Sequence, residues 1–358
     1  MSKSFRGRVA EFWRAFSNEE SEIRSMMDNK VKGETLIRFV DNILSIAFTK
    51  SYFEMGINDE GKYELILTPE GDRAKLFQLH YWLKQAPVEL LNKWNFYSSK
   101  PGDYKPGNQL DMYDIKIVEE DVLMYSEIDN ERKKINIQIY SPKLMLLDEN
   151  KRYSMFFIYL DRIIGELYTM EYIGYIDFME EKPNLPLIDV SNFKEFINKT
   201  VEIEEWAKLD SPTDLYSGYR LEPNEDEGWK LREDVYIGMT SCVPVINSFL
   251  NHNDELFDEF SDDGVVFGFL FYENINVPNE EMVPFRSEIE DKILDIVEPQ
   301  GIADSIGGAT GYHFSYIDFI IYDFDAFIKV AREVMSQYTM EEIGYSDFVY
   351  EAEPIVFA

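Results

Sequence analysis

The chain has a single cysteine, Cys242, and three histidines, His80, His252 and His313, among 358 residues. One cysteine forms no intrachain disulfide and no thiolate-based zinc or iron–sulfur site. The histidines are scattered, and none has the H-x-x-x-H or H-E-x-x-H spacing of a zinc site. No metal and no cofactor is implied. Cations are scarce too: 35 Lys+Arg face 68 Asp+Glu, a formal charge of -33. Binding to DNA or RNA backbones needs clustered Lys and Arg, so nucleic acid is excluded as a partner. Docking on anionic membranes is excluded for the same reason. No uncharged stretch approaches the roughly 20 apolar residues of a membrane span. The N-terminal stretch carries basic residues but no apolar run of the secretory kind, so a cytoplasmic location is expected.

Apolar residues, in contrast, are plentiful. They make up 45%, and aromatics 15%, so the charge does not signal a disordered chain. The length suggests about two domains. Residues 1–50 hold 9 basic and 7 acidic residues, residues 51–183 hold 16 and 24, and residues 184–358 hold 10 and 37. On this count the acidity belongs mostly to the second half.

The first 50 residues read as two helices. Ser17-Asn18-Glu19-Glu20 has the form of a capping box that opens a helix. Residues 51–183 read as a first α/β domain, and 180–192, with two prolines, as a linker. Residues 184–358 read as a second, strongly acidic α/β domain. The order of periodic segments in the second half is β(265–272) α(284–297) β(301–306) β(314–322) α(324–337) β(343–350). The first half reads β(63–69) α(72–86) β(94–99) β(135–140) α(152–167) β(173–178). Both have the ferredoxin-like β-α-β-β-α-β order. The fold class expected is α+β, an α/β sandwich of two tandem ferredoxin-like domains, with the helical segment 1–50 packed on the first.

An internal repeat supports the duplication. YTMEYIGYIDF (168–178) recurs as YTMEEIGYSDF (338–348), with nine of eleven positions identical. Strand alternation puts Tyr175 and Asp177 on one side of their strand, and Tyr345 and Asp347 on one side of theirs. In the neighbouring strand Tyr316, Asp318 and Tyr322 oppose Ile317, Phe319 and Ile321. If helices cover the Ile/Phe side, then Tyr316, Asp318, Tyr322, Tyr345 and Asp347 form a Tyr/Asp platform for a partner. The same residues can equally be packing kept from a duplication.

Asp258, Glu259 and Asp262 form an acidic helix face. Like charges at such spacing repel unless a cation neutralises them, though a solvated face explains them as well. The Gly307-Gly308-Ala309-Thr310-Gly311 run leads into a strand rather than a helix. It therefore reads as a hairpin turn rather than a phosphate cradle. Cys242 stands at a strand-to-helix junction. No pattern joins a histidine to a Ser or Cys nucleophile, so no catalytic residue is assigned.

Two stretches carry a resemblance. YELILTPEGDRAKLFQLHYWLKQAP followed by WNFYSSKP, behind EFWRAF, resembles a family of uncharacterised bacterial cytosolic domains. DVYIGMTSC, GVVFGFLFYE and SIGGATGYHFSYIDFI, within 234–322, look like a second such group. Neither resemblance implies an activity.

The function expected is that of a non-enzymatic acidic binding or regulatory protein whose partner is a basic protein. An immunity-type or nuclease-inhibiting protein is the concrete form, since an acidic surface competes for a basic cleft and steers association. The alternative is a carboxylate- or divalent-ion-dependent enzyme, or a small-ligand sensor, with its site where the two domains meet.

Overall fold

The computed structural model describes residues 4–357 apart from 108, 210, 214, 225–227, 275–277, 279 and 341. The acidic stretch 225–227 and Glu341 of the repeat therefore lie outside the described residues. The chain begins with α1 (Phe5–Asp28), α2 (Gly33–Leu44), β1 (Tyr52–Ile57), β2 (Tyr63–Thr68), α3 (Arg73–Lys84) and β3 (Trp94–Tyr97). It continues with β4 (Gln109–Met112), β5 (Ile115–Val118), β6 (Leu123–Asp129), β7 (Lys134–Tyr140), α4 (Glu149–Ile164), α5 (Glu166–Tyr172), β8 (Ile173–Phe178), β9 (Leu187–Ile188) and α6 (Phe193–Ile203). Next come β10 (Ser217–Arg220), β11 (Val235–Thr240), α7 (Val243–Leu250), α8 (Glu255–Asp263) and β12 (Val266–Glu273). The chain closes with α9 (Met282–Val297), β13 (Ala303–Gly311), β14 (Phe314–Ile321), α10 (Phe324–Met335), β15 (Ile343–Asp347) and β16 (Ile355–Val356). The fold is mixed α+β.

The chain divides into two compact units, and neither is continuous in sequence. The first comprises residues 1–52, 73–94 and 213–358; the second comprises 53–72 and 95–212. The expected division at the 180–192 stretch is thus redrawn. That stretch contributes β9, which pairs with β6 inside the second unit. Helix α1, expected on the first α/β domain, belongs to the unit that holds the second half of the chain.

The first unit is built on a seven-stranded sheet in the order β10-β11-β13-β14-β12-β15-β16, with every pairing antiparallel. Its four central strands are connected β12-α9-β13-β14-α10-β15. Helices α9 and α10 cover one face, where Ile289, Ile293, Phe327 and Ala331 close on Leu270, Ile317, Phe319 and Tyr345. This face is dry because β12 and β14 carry apolar residues on both sides, the mark of strands covered twice.

The opposite face is covered as well. Phe257 and Phe260 of α8 pack on Phe267, and Phe249 of α7 packs on Phe269. Phe5 of α1 and Tyr81 of α3 pack on Tyr322, the latter stacked at 3.9 Å. Two of the unpaired N–H groups that open any helix are met at α1 by carbonyls beside the sheet: Phe5 donates to Gly264 and Arg6 to Tyr322. The capping residue is Ser4 and not Ser17. Ser17 lies mid-helix, where its hydroxyl donates to the carbonyl of Trp13 at 2.7 Å. Trp13 stacks on Trp82 and donates its indole N–H to the Trp82 carbonyl at 3.0 Å.

In the middle of this second covered face lies a buried ion pair. Arg232 Nη1 meets Asp318 Oδ1 at 2.5 Å and Nη2 meets Oδ2 at 3.3 Å, a two-point fork. Both side chains are almost wholly buried, 4% and 0% exposed. The guanidinium also donates to Tyr219 Oη at 3.0 Å, and the Arg232 backbone N–H donates to Tyr316 Oη at 2.8 Å. The rings of Phe348, Phe269, Tyr316 and Phe249 stand around it at 4.7 to 6.0 Å. Burial works against the charge of Arg232, and the facing Asp318 carboxylate more than offsets it, so the pKa is raised.

The Gly307–Gly311 run is not a turn. It is the second half of strand β13, paired with β11 and β14. A bulge sits between Ser305 and Gly307, where Gly307 has φ +132° and a Cβ would stand 2.0 Å from the Met239 carbonyl oxygen. The hairpin turns instead at Tyr312-His313 and is held by Asp234, which is fully buried. Its Oδ2 accepts from the N–H groups of His313 and Phe314 at 2.9 and 3.0 Å, and its Oδ1 from Tyr316 Oη at 2.5 Å.

The second unit departs from the expected single sheet. Strands β1, β2 and β3 form one three-stranded sheet, while β8-β7-β6-β9 form another, with β7 and β8 parallel. The segments read as one β-α-β-β-α-β motif thus fall in two sheets. Ile135, Ile137 and Ile139 of β7 pack against Phe156, Leu160 and Ile163 of α4 and Phe193 and Ile197 of α6.

The buried pair gives a first prediction. Asp318→Ala leaves a buried guanidinium without its counter-charge and is expected to cost about 3–5 kcal/mol of unfolding free energy. Replacing both partners, Arg232→Met with Asp318→Leu, is expected to cost less than Asp318→Ala alone. Urea unfolding of the three proteins checks the ranking.

Candidate functional site

The Tyr/Asp platform expected from the sequence is not an accessible face. Tyr316 and Asp318 are fully buried and Tyr322 is 1% exposed, all beneath the aromatic cover just described. Tyr345 is on the other face: the register Leu270↔Tyr345 and Leu270↔Ile317 puts it with the residues under α9 and α10. There its hydroxyl donates to Asp347 at 2.5 Å, and Asp347 is half-buried. Burial raises the Asp347 pKa, and the Tyr345 hydroxyl opposes this. The correction has a simple cause. Alternation assigns faces within a strand, but only the pairing register relates the faces of two strands.

The repeat itself occupies two environments. Tyr175 is 46% exposed and bonded to Glu127, while its counterpart Tyr345 is 1% exposed. Residues 168–172 are helical, as part of α5, and residues 338–340 are not.

The acidic face of α8 is solvated at Asp258, Glu259 and Asp262. Glu259 pairs with Lys75 at 3.3 Å, and the Asp262 carbonyl accepts from Arg8 at 2.6 Å. Asp263, their neighbour, is buried and does structural work. Its Oδ1 accepts from the backbone N–H and the hydroxyl of Thr49, both at 2.6 Å, and its Oδ2 from Gln78 at 2.7 Å. Cys242 is buried at the start of α7. His252 stacks on Tyr350 and His313 on Trp229.

The arrangement with most chemical potential was not singled out by sequence and lies wholly in the second unit. It is a cavity of about 470 Å³ lined by Glu70, Gly71, Lys100, Ser154, Phe157, Ile158, Asp161, Glu166, Thr169 and Met170. Its frame is a contact of two backbones. Gly102 has φ +65°, and a Cβ there would stand 2.1 Å from the amide nitrogen of Gly165. Gly165, at φ +94°, ends α4 and begins α5. Asp103 N–H donates to the Arg162 carbonyl at 2.9 Å, and Glu166 N–H to the Lys100 carbonyl at 3.0 Å.

Glu166 locks this frame. Its carboxylate accepts from Thr68 Oγ1 at 2.8 and 2.9 Å, from the Gly71 N–H at 3.2 Å and from the Lys100 N–H at 3.2 Å. The side chain is buried and its acceptor capacity is used on three donors from two other segments of chain. Glu166 is therefore a strut, and the group left for chemistry is Asp161. Asp161 Oδ1 is buried without a hydrogen-bond partner among the described residues. Burial raises its carboxyl to a pKa of about 6; the Thr169 hydroxyl opposes this, the Glu166 charge adds to it, and Lys100 opposes it.

Lys100 Nζ stands 3.6 Å from Glu54 and 3.7 Å from Glu70. Burial disfavours its charge, but the surrounding carboxylates outweigh burial and its pKa is raised. The wall opposite these charges is apolar, with Phe157 41% exposed beside Ile158 and Met170. A carboxyl that titrates near neutrality can exchange a proton with a bound group or hold a cation once ionised.

The chain matches no protein-family model, no curated protein and no solved structure. Among the described residues, no helix is long and apolar enough to cross a membrane, and no cluster of His, Cys, Asp and Glu could hold a metal ion.

Two outcomes are expected. The folded protein binds the Asp161 proton more tightly than the unfolded chain, so this group's stabilising contribution is complete below the ordinary carboxyl range. It is lost as pH rises through about 6. Asp161→Asn should therefore raise the melting temperature at pH 8 and have little effect at pH 4, as read by calorimetry. Glu166→Ala strands three donors and should cost about 3 kcal/mol at neutral pH, measured by urea unfolding.

Proposed function

We propose that the protein is a non-enzymatic binding protein that holds a basic partner protein, in the manner of an immunity-type or nuclease-inhibiting protein. The observation that carries this reading is the Asp161 cavity. Glu70, Asp161 and Glu166 outnumber Lys100 around it, one carboxylate oxygen has no partner, and Phe157 and Met170 supply an apolar wall. That combination suits the stem and head of an inserted lysine or arginine, with an aromatic face available to the cation. The exposed Glu255, Asp258, Glu259 and Asp262 of α8 and the net charge of -33 would speed encounter with such a partner. The two resemblances to bacterial cytosolic domain families are compatible with this reading and add no activity to it. For the fold, we read β12-α9-β13-β14-α10-β15 as a ferredoxin-like core. The support is its connectivity together with the strand order β13-β14-β12-β15.

A second reading, a small-ligand sensor or carboxylate-dependent enzyme, is favoured by one observation: a carboxyl with a pKa of about 6 faces a cavity of about 470 Å³. Two measurements separate the readings. Capture from lysate at low and moderate salt should retain basic protein on the wild type at both, and less on Asp161→Asn. Titration with butylamine reports the cavity alone, and its affinity should rise as pH passes about 6 and the carboxylate ionises. Amine binding with no captured basic protein would favour the sensor. Neither amine binding nor capture would remove both readings.

A further inference from the structure

The seven-stranded sheet extends two strands past β13, the strand that α9 overlies. On the α9 side, β10 and β11 therefore have no helix above them among the described residues. Register shows which side chains face this gap. Gly218↔Met239 and Arg220↔Ile237 are paired across β10 and β11, and Ile237↔Thr310 and Met239↔Gly308 across β11 and β13. Gly308 in turn faces Ile317, which lies under α9. Arg220, Ile237, Met239 and Thr310 thus share the α9 face. With Val283 and Arg286 of α9 they line a groove of about 590 Å³.

The groove has an apolar floor and two cations. Ile237, Met239 and Val283 are 40%, 49% and 51% exposed, an unusual concentration of bare aliphatic surface. Arg286 is laid along the sheet by Gly308. A Cβ at that position would stand 3.1 Å from Arg286 Nε and 3.3 Å from its Cδ. Its Nη1 donates to Thr310 Oγ1 at 3.1 Å. Among the described residues no carboxylate lies within ion-pair distance of Arg286 or Arg220, although the unit holds 39 Asp and Glu against 20 Lys and Arg. Glu290, on the next turn of α9, accepts from the Ser305 hydroxyl; burial raises its carboxyl pKa, and the Ser305 hydroxyl and the Arg286 charge oppose this.

We propose that this groove binds a small amphipathic carboxylate, its anionic head between Arg286 and Arg220 and its apolar body on Ile237, Met239 and Val283. Charge complementarity selects the sign of the ligand: among the described residues two guanidiniums without a close ion pair, one of them sharing its field with Glu290, form a local positive site on an acidic unit. A monoanion is favoured over a dianionic phosphate, because the cost of desolvating the head grows with the square of its charge while attraction to the guanidiniums only doubles, and one arm of Arg286 is already committed to Thr310. The size and the mostly apolar lining with few polar groups are those of small-molecule sites. The inference is independent of the basic-partner reading, which rests on the second unit.

The test is calorimetric and NMR titration of the full-length protein with octanoate, octanol, octylamine and octyl phosphate. Octanoate should bind saturably with a Kd at or below about 1 mM, with shifts confined to β10, β11 and the first turns of α9. Octanol and octyl phosphate should bind about tenfold more weakly or worse, and octylamine not at all. Arg286→Gln should weaken octanoate about tenfold, as should Arg220→Gln, which sits on an exposed edge strand and so tests the site without threatening the core. Met239→Ser should weaken octanoate and octanol alike. The proposal fails if octanoate does not saturate, if octanol binds as well as octanoate, or if folded Arg220→Gln and Arg286→Gln bind as the wild type does. Tighter binding of octyl phosphate would overturn the assignment to a carboxylate.

Discussion

The Arg232–Asp318 pair is the constraint on which the first unit turns. A guanidinium and a carboxylate inside an aromatic shell are costly to desolvate and become tolerable only in good mutual geometry with their remaining bonds satisfied. Here the guanidinium bonds to Asp318 and Tyr219, and Arg232's own N–H bonds to Tyr316. The pair therefore ties β10, the loop before β11 and the central strand β14 to one another. The rings of Phe249, Phe269 and Phe348 close over it from a helix, a strand and the segment after β15. A slip of β14 by one residue would turn Asp318 to the α9 side and leave Arg232 alone in the aromatic cover. Register is thus fixed by charge as well as by hydrophobic pattern.

The same device recurs with other carboxylates. Asp234 holds the β13–β14 hairpin by three donors, Asp263 joins α8 to Thr49 and Gln78, and Glu166 joins three segments of the second unit. In each case an acid is buried where backbone or hydroxyl donors converge. Some of the acidity that looks like a surface property in the composition is therefore internal scaffolding. The division of charge changes too once the units are known. The first unit holds 20 basic and 39 acidic residues and the second 15 and 29, so the contrast between the two halves of the sequence largely disappears in the folded units.

What could be read from sequence depended on how local its determinants were. Helices α9 and α10 and strands β12 and β14 were legible because strong apolar periodicity runs through each. The two sheets of the second unit were not, because which strands pair is decided between segments far apart in the chain. The repeat misled in an instructive way. Identical Tyr-Thr-Met segments form helix at 168–170, after Gly165, where Glu166 is pinned by three donors, and non-helical chain at 338–340, after α10. The acidic face of α8 was visible as such, but the burial of Asp263 in the same run was not. The Asp161 cavity gave almost no signal. Asp161 follows Leu160 on an amphipathic helix and looks like any solvent-side acid, and only the arrival of residues 68–71 and 100–102 buries it. The Gly102 and Gly165 pair was the one available hint, and a single glycine seldom tells which backbone will approach it.

The segmented build of the first unit has a consequence for how the chain acquires structure. Helix α1 presents Phe5, and α3 presents Tyr81, to Tyr322 at the end of β14. The strands that α1 and α3 cover are synthesised after residue 234. On the ribosome these aromatic faces emerge long before their sheet exists, whereas the contiguous stretch 95–212 of the second unit can assemble in the interval. Contacts of such high sequence separation fold slowly and leave apolar surface exposed while they wait. The mildly basic, aromatic N-terminal segment is thus the part of this acidic chain most dependent on protection during synthesis, and its safety lies in the last third of the polypeptide.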